Sequence, residues 1–266
     1  MMARNRTEEL KIVFALSDLA DPKGNMLVNG GVTSYPRATS IGYLDALHLL
    51  IEAMRTLSID TTFLEGGHAI SAEALLKRIE QRGTWAHIET AELFFQFEVV
   101  GAFDHAYITV TELSAGAAGD WGNWVKPFLA LDGFVQAWGV DVQYNYWQNV
   151  RDPVEYQIFG RNYSHLPMRS NGLLSSVQRM EIDISGNPGR WMLRTGYVES
   201  VGAVMWLGER FWARVGQIRK RFLNVAEWLC VTEPAKGIVQ IRASDRCFVG
   251  EDTASTQVRL RALLYG

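Results

Sequence analysis

Four groupings in this chain carry side chains able to do acid–base or metal chemistry. They are His87-Ile88-Glu89, Glu65-Gly66-Gly67-His68, Asp104-His105 and the cysteines Cys230 and Cys247. His-x-Glu is the first half of a zinc-deaminase signature, which needs a later Pro-Cys-x-x-Cys to complete the metal site. Cys230 and Cys247 lie too far apart to supply it. Glu65 and His68 have the types of an acid/base pair. The two glycines between them equally suit a turn that requires positive φ. Asp104-His105 reads as a polar pair at a hairpin, and His48, between Leu47 and Leu49, as a partly buried structural histidine on a helix. The chain has no Gly-x-Ser-x-Gly elbow, no phosphate-binding Gly-x-x-x-x-Gly-Lys-Ser/Thr loop and no Gly-x-Gly-x-x-Gly fingerprint. The sequence therefore predicts a non-enzymatic protein with no catalytic residue, no metal and no cofactor.

Strands dominate the middle of the chain. Phe95, Phe97 and Val99 alternate with Gln96 and Glu98, and Ala106, Ile108 and Val110 alternate with His105, Tyr107 and Thr109. Such period-two patterns mark strands with one buried and one wet face. Gly101 to Asp104 reads as the loop of the hairpin joining them. The same alternation through Val140, Val142, Tyr144 and Tyr146 predicts a third strand over 140–147, with Asp141, Asn145 and Trp147 on one face. Lys11–Leu16 reads as a buried first strand, and Met180–Ile184 and Ile238–Ala243 as later ones. Val154, Tyr156 and Ile158 suggest another short strand.

Helices flank these strands. Ile41, Leu44, Leu47, Leu50, Ile51, Met54 and Leu57 recur at helical spacing behind Ser40, a possible cap. A second helix is expected from Ser71 to Gly83, with Glu73 early and Arg82 late, as the helix dipole favours. Segments 209–215, 218–229 and 255–264 also read as helical, and 17–38 as a long loop. The expected fold is a single α+β domain over residues 1–266, with a largely antiparallel sheet flanked by helices.

Charge is unevenly distributed. Between Arg82 and Arg151 eight acids face one base, Lys126, so this region carries a net −7. From Arg151 to Arg221 eleven bases face six acids, densest at Arg219-Lys220-Arg221, which reads as a solvated helix face. The whole chain sums to only −3, which points to neither nucleic acid nor membrane as a global partner. Its 266 residues are enough to bury roughly 70–75% of the unfolded surface. Two cysteines make no disulfide framework and the longest apolar runs are too short to span a bilayer, so a soluble, cytoplasmic protein is expected.

The aromatics point to an interface. Trp121, Trp124 and Trp147 sit among polar residues, and tryptophan beside charge is a typical interface anchor. Asp120, Trp121, Trp124, Asp132, Asp141, Asn145 and Trp147 are the expected partner-binding residues.

The last third adds a resemblance. Gly196-Tyr197-Val198-Glu199, Met205-Trp206-Leu207-Gly208-Glu209-Arg210-Phe211-Trp212 and Glu227-Trp228-Leu229 resemble a pattern in bacterial immunity proteins of polymorphic toxin and type VI secretion systems. The matched residues are aromatic and structural, and no binding residue carries over. The resemblance implies a cytoplasmic protein that binds and neutralises a cognate secreted protein toxin, often a nuclease. Two alternatives remain from the residues alone. One is a small-molecule enzyme with a carboxylate/His site in the 17–38 or 65–68 loops; the other is a nucleic-acid adaptor using the 210–221 basic run.

Overall fold

The central strand of the computed structural model, Glu8–Ala20 (β1), shows why the chain folds as it does. Leu10, Ile12, Phe14 and Leu16 point to one side of it and are buried there, while Val13 is buried on the other. A strand buried on both faces has the continuous apolar character that Ile12 to Leu16 shows. The structure describes residues 6–20, 27–29, 32–34, 37–217, 220 and 226–266.

Ten further strands join β1, all antiparallel: Arg37–Thr39 (β2), Thr62–Glu65 (β3), His68–Ser71 (β4), His87–Thr90 (β5), Leu93–Val100 (β6), His105–Glu112 (β7), Phe134–Asp141 (β8), Val204–Leu207 (β9), Cys230–Ala235 (β10) and Ile238–Arg242 (β11). Their order across the sheet is β10-β11-β9-β8-β1-β7-β6-β5-β3-β4, with β2 pairing the far end of β1. The expected β6–β7 hairpin is present, and Gly101–Phe103 forms the 3-10 turn between its strands.

Helices cover opposite faces at opposite ends. Tyr43–Thr56 (α1), Ala72–Arg82 (α2) and the short Trp121–Val125 (α3) pack on the face that holds Leu10, Ile12, Phe95 and Ile108. Glu209–Val215 (α6) and Ala254–Tyr265 (α7) pack on the other face, over Val135, Trp138, Met205 and Ile241. The amphipathic pattern fixes α1 and α2 in place. Leu47, Leu50, Ile51 and Met54 face the sheet from α1, and Leu75 and Ile79 from α2. Ser71 caps α2 by accepting from the Ala74 amide at 3.3 Å, and Gly83 ends it in the left-handed conformation that glycine tolerates. The fold class is the expected α+β sheet flanked by helices.

Several local expectations give way. The predicted 140–147 strand is the end of β8 followed by a helix, Val142–Asn149 (α4). The Asp141 carboxylate accepts from the Tyr144 amide at 2.7 Å, and this cap starts a helix where side-chain alternation alone suggested a strand. Val154–Ile158 is also helical: Asp152 caps Pro153–Ile158 (α5), whose proline occupies the first turn. Ser40 does not cap α1; Gly42 stands there, and the Ser40 hydroxyl is buried against Gly133. His48 is exposed rather than partly buried, because its helix turns it away from the sheet. The 17–38 loop is partly strand, since β1 continues to Ala20 and Leu27–Asn29 pairs with Val32–Ser34. Arg37 and Ala38 belong to β2, and the remainder of that stretch lies outside the described residues, as does most of the 218–229 segment.

Candidate protein-binding face

Among the described residues, the sheet side away from α1 and α2 is exposed at His87, Glu89 and Glu98, whereas Val13, Thr109 and Trp138 on that side are buried. On β5, β6, β7 and β1, the side chains facing away from α1 and α2 form cross-strand rows. One row runs from Trp138 through Lys11, Thr109 and Gln96 to His87. The next runs Glu9, Thr111, Phe94, Glu89, and a third runs Val13, Tyr107, Glu98. The period-two geometry of the strands puts all of these on one face. Glu89, Glu98 and His87 are exposed, and Phe94, Gln96, Tyr107 and Thr111 are half-buried. His87 stacks on Phe94, with ring centroids 6.1 Å apart.

Charge on this face is partly spent internally. Glu9 takes the Lys11 ammonium at 2.9 Å on one oxygen and the Thr111 hydroxyl at 3.1 Å on the other. Glu89 and Glu98 form no ion pair among the described residues. The face therefore presents two available carboxylates beside aromatic surface.

At its inner end the face becomes a groove of about 190 Å³, floored by Gln96, Glu98 and Tyr107 and walled by Trp191 and Leu193. The wall is a hairpin, Met192–Arg194 with Tyr197–Glu199. Gln136, fully buried on β8, holds that hairpin against the sheet. Its amide donates to the Val198 carbonyl at 2.9 Å, and its oxygen accepts from the Val198 amide at 3.1 Å.

Two titratable groups of β7, His105 and Tyr107, are tied together by hydrogen bonds. His105 is buried, and its Nδ1–H donates to the Phe103 carbonyl at 2.8 Å. Nε2 then accepts from the Tyr107 hydroxyl at 3.1 Å. Burial holds the His105 pKa below its usual value, against the opposing pull of Phe103 and Asp104. Burial, and then the Glu98 charge, push the Tyr107 phenol well above its ordinary range. Both groups stay neutral at physiological pH, with their hydrogens already committed.

The expected partner-binding residues do not form one surface. Trp124 is fully buried and donates to the Ala118 carbonyl at 2.8 Å; Trp121, also buried, donates to Glu8 at 2.7 Å. Asp141 is buried as the α4 cap and pairs with Arg6 at 3.2 Å. These three belong to the packing. Asp120 is exposed, but its carboxylate accepts from the Gly122 amide at the start of α3. Asp132 is exposed and bound to Arg210 at 3.0 Å, and that hydrogen bond holds its pKa below the usual carboxylate range. Asn145 is half-buried and bonded to Asn149. Trp147 is half-buried against Tyr156, with Arg161 stacked over it at 4.1 Å. With 142–149 helical, Asp141, Asn145 and Trp147 do not share a strand face.

The other groupings resolve similarly. Glu65 and His68 do face each other across the β3–β4 hairpin, but the Glu65 carboxylate is held by Arg78 and Arg82 from α2. A cavity of about 180 Å³ is lined by residues that include Glu8, Trp121, Arg242, Arg246 and Cys247. Burial and the adjacent Glu8 carboxylate push the Cys247 pKa far above the normal thiol value. No group of three or more His, Cys, Asp or Glu among the described residues is arranged to hold a metal. Lys220 pairs with Glu209 at 2.9 Å, whereas Arg219 and Arg221 lie outside the described residues. No helix of the described residues is long and apolar enough to cross a membrane.

Sequence reasoning found Gln96, Glu98 and Tyr107 as strand residues but did not single them out as a site. Their signal was the polar half of each alternation, read together with the local acid excess. Of the residues that carry the immunity-protein resemblance, Gly196, Val198, Met205, Trp206, Leu207, Gly208, Phe211 and Trp212 are buried, Tyr197, Glu199, Trp228 and Leu229 are half-buried, and Glu209, Arg210 and Glu227 are exposed.

No family model matches the chain. No curated protein matches it by sequence. Among solved structures it is similar to the Pseudomonas aeruginosa T6SS protein PA0821, with a TM-score of 0.49 and 10% identity, covering 97% of this chain and 73% of that one.

Proposed function

We propose that this chain is a cytoplasmic, non-enzymatic immunity protein that binds and neutralises a cognate protein toxin, and that the β1–β7–β6–β5 face away from α1 and α2 is its docking surface. One observation carries the reading: Glu89 and Glu98, exposed on the sheet side away from α1 and α2, stand without ion-pair partners among the described residues, beside half-buried Phe94 and Tyr107. Aromatic anchors ringed by charge are the composition of a binding hot spot. Unpaired carboxylates suit a basic groove such as a nuclease uses for phosphate, where they would take the place of the nucleic acid. Complementary charge of this kind speeds encounter and selects the partner more than it adds affinity.

The test is co-expression of the chain with the secreted protein encoded beside its gene, in cells that this protein kills. The reading expects wild type to restore growth by forming a stoichiometric complex. Growth arrest with this chain abundantly expressed, or rescue without a complex, would overturn it.

A further inference from the structure

Residues 142–190 form a satellite built on α4, α5 and the hairpin Met168–Ser170 with Met180–Ile182. Its own core is small: Val150, Tyr156, Ile182 and Ile184, with Trp147, Tyr163 and Leu166 against them. Nine of the twelve exposed large hydrophobic side chains among the described residues lie here, so the apolar exposure is local rather than the scatter normal for a surface. Ile158 is 70% exposed, Phe159 60%, Leu173 58%, Leu174 81%, Val177 59% and Met180 53%.

The charges of the satellite neutralise one another. Arg169 pairs with Glu181 at 2.8 Å and Asp183 at 3.8 Å, and Arg151 reaches Glu181 at 3.9 Å. Arg179 pairs with Asp152 at 3.3 Å, which also ties the hairpin to the start of α5. Arg161 is stacked over Trp147. Residues 142–190 hold five arginines, four acids and no lysine, for a net charge of +1.

We propose that this apolar satellite is a self-association surface that pairs two copies of the chain. A two-fold interface must complement itself. A nearly neutral apolar patch does so without repulsion, whereas the Glu89/Glu98 face would repel its own copy. The nine exposed side chains together offer on the order of 800 Å², which is what one partner contributes to a standard stable interface. An anionic lipid surface would be drawn by free cationic side chains, and carboxylates occupy Arg151, Arg169 and Arg179 while Arg161 is stacked on Trp147 and Arg190 donates to the Asn187 carbonyl. The exposed satellite residues are none of those that form the Glu89/Glu98 face, so this inference stands independently of the toxin-binding reading.

Sedimentation velocity of the full chain across micromolar concentrations tests it, with Leu174→Asp and Ile158→Asp as variants. Both positions are largely exposed, and an unchanged melting temperature would confirm that each variant folds. The expected result is a wild-type particle of twice the 29.9 kDa chain mass. Each substitution should raise the dimer dissociation constant by more than about tenfold, the loss expected at an interface anchor. A wild type that stays monomeric throughout, or a dimer that survives both substitutions, would overturn the proposal. A monomer that co-floats with vesicles of phosphatidylcholine and phosphatidylserine would also overturn it and assign the patch to lipid. A monomer whose complex with the toxin depends on Leu174 would overturn it in favour of that partner.

Discussion

The Gln136 side chain closes a two-bond ring with the backbone of Val198, linking the most buried part of the sheet to the hairpin that walls the groove. Both bonds are buried. Removing the amide leaves the Val198 amide and carbonyl without partners in a dry site, which costs about 1–3 kcal/mol. Gln136→Leu, which keeps much of the volume, should lower stability to urea by that amount. It should also increase hydrogen exchange at the Tyr197–Glu199 strand more than at β6 or β7.

Trp124→Ala should be among the most damaging single changes, because the ring is fully buried between the sheet and α1 and its indole N–H satisfies the Ala118 carbonyl. Truncating a buried tryptophan costs about 3–5 kcal/mol. Equilibrium unfolding would measure it. A loss below about 1 kcal/mol, typical of exposed positions, would place Trp124 at the surface.

Tertiary context accounts for what the sequence concealed at Trp124. Polar and small neighbours made Trp121 and Trp124 look exposed, yet α3 is a five-residue helix that turns both indoles inward. The β6–β7 hairpin was legible because its pattern persists over eight-residue strands with one wet face. Buried β8 gave no alternation, since all eight of its residues are covered on both faces. The Val140–Trp147 alternation misled because a capping Asp141 outweighs side-chain rhythm over so short a span. The candidate face was readable only in part. Glu98 and Tyr107 were visible as polar strand positions and Glu89 only as part of His87-Ile88-Glu89, but their adjacency depends on the registers of β5, β6 and β7, which are long-range choices.

Acid should weaken the fold through His105. Its folded pKa lies below the unfolded value of about 6.5, because burial disfavours the charged ring. The unfolded chain therefore takes up the proton first as pH falls. The contribution of His105 is fully present above about pH 6.5 and is lost as pH drops from there through the lower folded value. The melting temperature should fall between pH 7 and pH 5. The gap between wild type and His105→Gln, which cannot titrate, should narrow over the same range.

The two thiols should differ sharply in reactivity. Cys230 is exposed, whereas Cys247 is partly buried beside Glu8 with its thiolate strongly disfavoured. Iodoacetamide at neutral pH should label Cys230 alone in the folded protein and both residues in denaturant. Rapid native labelling of Cys247 would show that its cavity opens to solvent.

The Glu89→Lys/Glu98→Lys double variant, titrated against the purified toxin by stopped-flow at several salt concentrations, tests the docking face most directly. Both carboxylates are exposed, so the fold and melting temperature should be kept. The account predicts that the association rate drops by about tenfold or more, and that its fall with added salt flattens or reverses, because the steering charge has changed sign. An association rate and salt dependence equal to wild type would show that the toxin docks elsewhere.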